Sequence, residues 1–199
     1  PGIMGWYTYA PFMECYHGIV SMDHSVSGTL YHQAKPVDFT AGRGYTEKDW
    51  GYSFPSAYVW MQSNHFTETG ISLKVSVARI PWIRKAFTGF IAGIWLKDHL
   101  IRFTTYNRSR LIRCSISEKS MELIMEKPDY RLEIKGFPDR SAVLFSPLRG
   151  AMEGKIEESM AARISVRLIE KRSGNVVFND TGRNAGLEIS GDIPKITIH

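Results

Sequence analysis

The chain has 199 residues, of which 43% are hydrophobic and 23% charged. That composition excludes intrinsic disorder and allows one domain, residues 1–199, with a sizeable core. The formal charge of +5 is spread along the sequence, and its densest cluster is Arg108, Arg110 and Arg113; a nucleic-acid footprint needs a concentrated basic stripe, so no nucleic-acid partner is expected, only weak attraction to anionic lipid.

From the first residue onward the pattern is that of a sheet protein. Pro1 begins the chain with no charged n-region and no signal-peptide core, as expected of the later part of a longer protein or of a processed one. Cys15 and Cys114 are too few for a disulfide framework. Both are flanked by apolar or β-forming residues, which predicts buried free thiols in a reducing, cytoplasmic or membrane-peripheral setting. Strands are predicted at 17–23 and 27–33. His17, His24, His32 and His65, with Glu14, Cys15 and Asp23, invite a metal reading. In a strand, however, His17 and His24 face opposite ways, which is poor ligand spacing, so no metal is expected. His17 or His65 fits better as a hydrogen-bond partner of a carboxylate or a ligand hydroxyl.

Residues 42–66, GRGYTEKDWGYSFPSAYVWMQSNHF, are the densest mixture of rings, carboxylates, glycines and amides in the chain. If Tyr45–Trp50 is extended, Tyr45, Glu47 and Asp49 share one face, and Thr46, Lys48 and Trp50 share the other. Two carboxylates on one apolar face raise at least one pKa, as a general acid requires. An exposed charged turn with Trp50 in the core is the simpler alternative. The predicted strand 57–66 places Tyr58, Trp60, Gln62, Asn64 and Phe66 on one face. Rings mixed with amides suit a cavity wall facing a ligand with a polar head and an apolar tail, or a core strand whose amides bond neighbouring backbone.

Further on, Ile71–Val77, Tyr130–Lys135 and Ala162–Leu168 alternate cleanly. Other strands are predicted at 88–96, 100–106, 111–117, 121–126, 142–146, 175–179 and 185–190. Ser173-Gly174 predicts a tight hairpin. Pro36, Pro81, Pro128 and Pro147, among others, are expected between strands. The one helical candidate is Arg149–Ala162. The longest apolar run, Ala86–Leu96, is too short to span a bilayer. About a dozen short antiparallel strands with frequent turns predict an all-β barrel or sandwich with little helix. Gly42, Gly44 and Gly51 lack the strand–turn–helix context of a dinucleotide site, and no nucleophile elbow is present.

The run GYTEKDWG, followed by FP and WMQSNHF, resembles the signature of the tocopherol cyclase-like family. The upstream run PGIMGWYTYAPFMECYHGIVSMDHSVSG resembles the block that precedes it there. Plant-type members carry EKNWG where this chain has Glu47-Lys48-Asp49-Trp50-Gly51. The resemblance implies a lipocalin-like antiparallel β-barrel or curved sandwich, an additional N-terminal segment in relatives, and no cofactor. It also implies acid-initiated cyclisation, or hydration, of a prenylated quinol or isoprenoid alkene inside the barrel. In that reading Asp49 or Glu47 is the acid, and Trp50, Trp60 and Trp6 stabilise positive charge. His65, Gln62 or Asn64 receives the phenol, with His17 as a further ligand contact. The alternative is a non-catalytic lipocalin-like carrier of an isoprenoid or quinone lipid. Either way the expected partner is a small apolar isoprenoid or quinol ligand.

Overall fold

Alternation of apolar and polar side chains organises almost the whole chain, and the elements that result are almost all strands. The structure, a computed structural model, describes residues 2–199. β1 (Cys15–Val26) and β4 (Gly42–Gly51) form a ribbon of their own. β2 (Thr29–His32) and β3 (Lys35–Asp38) make a small hairpin between them. The remaining strands build one ten-stranded antiparallel sheet. They are β5 (Ala57–Ser63), β6 (Ile71–Trp82), β7 (Lys85–Leu96), β8 (His99–Thr104) and β9 (Arg110–Ile116), then β10 (Met121–Glu126), β11 (Tyr130–Phe137), β12 (Ser141–Leu148), β13 (Ala151–Glu170) and β14 (Val176–Gly191). The order across the sheet is β8-β7-β6-β5-β14-β13-β11-β10-β9, with β12 on the far part of β13.

One face of this sheet carries the core. Val59 and Met61, Leu73 and Val75, Leu123 and Met125, Ile164 and Val166 are all at or near zero exposure and pack into one cluster. That cluster draws on every strand of the sheet except β12. A single sheet can pack one face against itself only by curving strongly. It does not close into a barrel, because β8 and β9 are the two ends of the strand order. The free edge of β9 is instead met by the C-terminus: Cys114 and Ile198 exchange two backbone hydrogen bonds of 2.9 Å. The fold is therefore an all-β curved sandwich.

Two sequence expectations are corrected. Arg149–Ala162 is not helical: Arg149 and Gly150 form the turn after β12, and the rest belongs to the twenty-residue strand β13, whose inward side alternates Ala162, Ile164, Val166 and Leu168. Its period-2 pattern, paired on both sides, outweighs local helix propensity. Pro36, Pro81 and Pro147 lie within β3, β6 and β12 rather than between strands. β3 and β12 each pair on one side only, and Pro81 sits next to the β6–β7 turn, where a missing N–H is tolerated.

The opposite face of β5, β6 and β7 is covered by the N-terminal part of the chain. A 3₁₀ turn, Gly5–Tyr9, leads into the β1–β4 ribbon. Met4, Ala10 and Met13 pack there with Tyr7, Tyr16, Ile80 and Trp82. The Tyr106 hydroxyl donates to the Ile3 carbonyl at 2.6 Å, and its ring fills the space beside Gly5, whose φ of +57° and lack of a Cβ allow that approach.

Candidate active site

Between the ribbon and the sheet lies a cavity of about 380 Å³, within the range of small-molecule sites. The strongly curved side of the sheet is filled by side chains, so the cavity occupies the other face. Its apolar lining includes Met4, Met13, Phe54, Ile80 and Phe87. Trp60 also lines it, with its ring lying over Gly186. A Cβ at Gly186 would come within 2.6 Å of that ring, so the glycine is what lets the indole lie flat on β14. Trp60 Nε1 is buried without a hydrogen-bond partner.

The ribbon supplies one polar wall. Antiparallel pairing sets His17 opposite Asp49 and Ile19 opposite Glu47. His17 Nδ1 bonds the Asp49 carboxylate, and its Nε2 lies 3.3 Å from Glu47 Oε2, near enough for an ion pair but not aligned as a hydrogen bond. The Tyr45 hydroxyl donates to Glu47. Behind this wall Lys74 is fully buried, and its ammonium has no hydrogen-bond partner. Burial pushes Lys74 down to about 8, with the charges of Glu47, Asp49 and Cys15 opposing that fall. Burial alone would raise Glu47, but His17, the Lys74 charge and the Tyr45 hydroxyl outweigh it and hold the carboxyl below its ordinary value. Glu47 is thus ionised at neutral pH. Burial, with the Asp49 charge next, pushes the Cys15 thiol up to about 12, so it is no nucleophile.

The sheet supplies the second wall. Glu158 on β13 and Glu188 on β14 are cross-strand partners, and Glu188 is in turn opposite Trp60 on β5. The Tyr58 hydroxyl donates to Glu188 Oε2 at 2.9 Å. Burial drives Glu188 up to about 7; the Tyr58 bond lowers it, and the neighbouring charges of Glu158, Asp49 and Glu47 raise it further. Glu158 is also raised, by burial and then by Glu47. A carboxyl with a pKa near 7 holds its proton through much of the neutral range. One cavity therefore carries a carboxylate held charged on one wall and, on the other, a carboxyl that still carries its proton part of the time at neutral pH. That is how environments divide acid and base roles among like groups.

Of the sequence candidates, Glu47, Asp49, His17 and Trp60 line the cavity. Trp50 does not: the alternation that turns Tyr45, Glu47 and Asp49 inward turns Trp50 outward, where it is 44% exposed and stacked on Tyr16 at 5.6 Å. Trp6 lies outside the lining as well, half exposed and stacked on Tyr7 at 4.0 Å. Gln62 faces the ribbon side of β5 and has a buried, unpartnered Nε2, but it is beyond the cavity wall. Asn64 and His65 follow the end of β5. The Asn64 amide donates to the Arg43 carbonyl at 3.2 Å, and His65 Nδ1 meets Asn184 Nδ2 at 2.8 Å, both at exposed positions. Sequence reasoning missed Glu158, Glu188, Tyr58's hydroxyl role and Lys74. Glu158 and Glu188 lie about a hundred residues or more from the aromatic block and reach it only through the pairing of β14 with β5. Lys74 had a signal: a lysine inside the apolar alternation Ile71–Val77.

His17, Glu47 and Asp49 are also the one group among the described residues whose donor atoms converge, within 4.8 Å of one another, as metal ligands could. Each imidazole nitrogen already faces a carboxylate, and the buried Lys74 ammonium supplies the positive charge that such a trio would attract. The donor set therefore fits a proton-handling cluster better than a cation site.

Fold and site together define a β-sheet protein with an apolar ligand cavity and ionisable walls of opposite protonation bias. The family model "Tocopherol cyclase-like" matches residues 2–191, and the chain belongs to that family. It is 31% identical to a protein described as "Tocopherol cyclase, chloroplastic" of Zea mays, across 94% of this chain and 41% of that protein. It is 22% identical to the "Probable tocopherol cyclase, chloroplastic" of Oryza sativa subsp. japonica, across 94% of this chain and 42% of that one. The chain thus spans less than half the length of these curated relatives. No solved structure matches it.

Proposed function

We propose that this chain forms the site of a cyclase that closes a ring on a prenylated quinol by acid-initiated addition of the phenol to a tail alkene. The observation that carries the reading is the opposite proton bias of the two walls: Glu188 raised to about 7 and Glu47 held ionised across one apolar cavity. In the proposed reaction the Glu188 carboxyl gives its proton to the less substituted alkene carbon. The phenol oxygen forms the new C–O bond at the tertiary carbon, and the phenol's proton passes to the Glu47–His17–Asp49 wall. Substrate and product are isomers, so no electrons leave or enter. An acid of pKa near 7 is too weak to release a free tertiary cation. Bond formation by oxygen as the proton arrives removes that need, and the Trp60 face stabilises the positive charge that develops.

This assignment moves the acid from Glu47 or Asp49 to Glu188 and makes the ribbon wall the proton acceptor, with Asp49 orienting His17. Family membership supports a cyclase, and the cavity's size and apolar lining support a lipid-like substrate. The test presents a prenylated quinol to the full-length protein, follows chromanol formation, and repeats the assay in heavy water. The expected result is one deuterium at the new ring methylene and a loss of about 10²–10⁴-fold in kcat for Glu188→Gln. Undiminished turnover by Glu188→Gln would remove Glu188 from the mechanism. Tight binding of the quinol with no turnover by the intact protein would make the cavity a carrier site instead.

A further inference from the structure

We propose that the end of the molecule built from the first 3₁₀ turn and the β6–β7 turn docks on the surface of an anionic lipid bilayer. Residues 2–13 contain no charged side chain. Within and beside them, Trp6 is 50%, Tyr9 75%, Phe12 41% and Ile83 82% exposed. The rings form one surface cluster: Trp82 meets Trp6 at 5.7 Å, Tyr7 at 5.6 Å and Phe12 at 4.9 Å between ring centres. Exposed rings gathered in this way mark a contact surface, and indole and phenol rings are the groups that settle at a membrane–water interface.

Three observations select a bilayer as the occupant. Ile83 tips the β6–β7 turn with φ of +52°, a sterically poor conformation for a β-branched residue, where glycine or asparagine would be at ease. An apolar side chain is thus held out into solvent at a position that chain geometry alone would give to a small or polar one. Arg84 and Lys85 follow it, both exposed, and neither pairs with a carboxylate among the described residues. An apolar tip flanked by free cations complements a surface of acyl chains beneath anionic headgroups. Finally, the cluster runs into the cavity: Tyr7 and Phe87 line it, and each lies about 6 Å from the Trp82 ring or from the other. A ligand leaving the bilayer there would stay against apolar surface. Other exposed apolar side chains do not line the cavity; Val143 and Phe145 on β12, for example, lie opposite Glu157 and Lys155 on β13, a face of mixed charge.

The proposal does not depend on the ring-closing chemistry, and its test contains no quinol. The full chain is floated with phosphatidylcholine vesicles, with and without phosphatidylglycerol, at low and high salt. Retention on the anionic vesicles at low salt is expected, with quenching of tryptophan emission by brominated acyl chains that Trp82→Phe reduces. Neutralising Arg84 and Lys85 as Arg84→Gln and Lys85→Gln should weaken binding about 5-fold for each charge removed. Ile83→Glu should weaken it by more, with circular dichroism and the unfolding midpoint unchanged. Equal retention of the wild-type chain and these variants would overturn the proposal. So would absence of retention on every vesicle, or association of the patch with a second copy of the chain in sedimentation.

Discussion

The two faces of β5 and β6 follow different rules on the same backbone. Towards the core, Val59, Met61, Leu73, Val75 and Val77 are apolar and fully buried. Towards the ribbon, the same strands carry Tyr58, Trp60, Gln62, Lys74 and Ser76, of which Lys74 is equally buried. A face that only had to pack would not retain an ammonium, an indole N–H and an amide without hydrogen-bond partners. The comparison separates what holds the fold from what the fold is used for. The core face is apolar but for Ser63, whose hydroxyl donates to the Arg183 carbonyl, whereas the ribbon face bears buried polar atoms with no hydrogen-bond partner in the protein.

The largest effect should fall on the ribbon face. Glu188→Gln should remove most turnover, as described above, yet it should make the protein more stable at high pH. A carboxyl raised in the folded state binds more protons folded than unfolded between its two pKa values, so it subtracts stability as pH rises from about 4.5 to about 7. Removing it should return about 1–3 kcal/mol above pH 7, after allowance for partial exposure, and nothing below pH 4. Urea titrations at both pH values check this; loss of stability at pH 8 would contradict the burial argument. On the core face, Leu73→Ala should cost about 2–5 kcal/mol of stability while leaving kcat of the remaining folded protein near its original value. A large fall in kcat at constant folded fraction would break the division between faces.

Lys74→Met tests the strangest residue on the ribbon face. It removes an ammonium with no hydrogen bonds, so the unfolding midpoint should hold or rise. Glu47 then loses a neighbouring positive charge and its pKa rises. Because the proposed acceptor must be ionised, the acidic limb of the pH–rate profile should move to higher pH, whereas the basic limb, set by Glu188, should fall near pH 7 in the wild type. An unmoved acidic limb would detach Lys74 from the chemistry. The smallest effect is expected for Tyr58→Phe, which deletes one hydrogen bond to Glu188 and should cost about 0.5–1.5 kcal/mol of stability. That bond lowers Glu188, so its loss should shift the basic limb upward, not downward.

Much of this was legible in the residues themselves. The alternation in Tyr130–Lys135 and Ala162–Leu168 gave the core strands, and two of the three residues read onto one face of β4, Glu47 and Asp49, line the cavity, with Lys48 beside them. The same alternation already implied that Trp50 must point away from them. The cross-strand match of His17 with Asp49 was not legible, because it depends on the two bulges that interrupt the β1–β4 register. Asn64 and His65 lie past Ser63, the end of β5; His65 still bridges Arg183 in the β5–β14 register, but this end of the pairing is beyond the cavity. Glu158 and Glu188 carry ordinary strand signals. Only the long-range neighbours chosen by β14 make them acids beside an indole.

The ribbon that bears His17, Glu47 and Asp49 shares no strand ladder with the sheet that bears Glu158 and Glu188 among the described residues. Backbone register therefore fixes the spacing of groups within each wall but not the gap between them. That gap is set by the side chains wedged under the ribbon, Met4 and Met13 foremost, and methionine is the apolar residue that reshapes most readily. Cleft width is thus an adjustable dimension. Substitutions at those two positions can widen or narrow the cleft while the groups within each wall keep their own alignment.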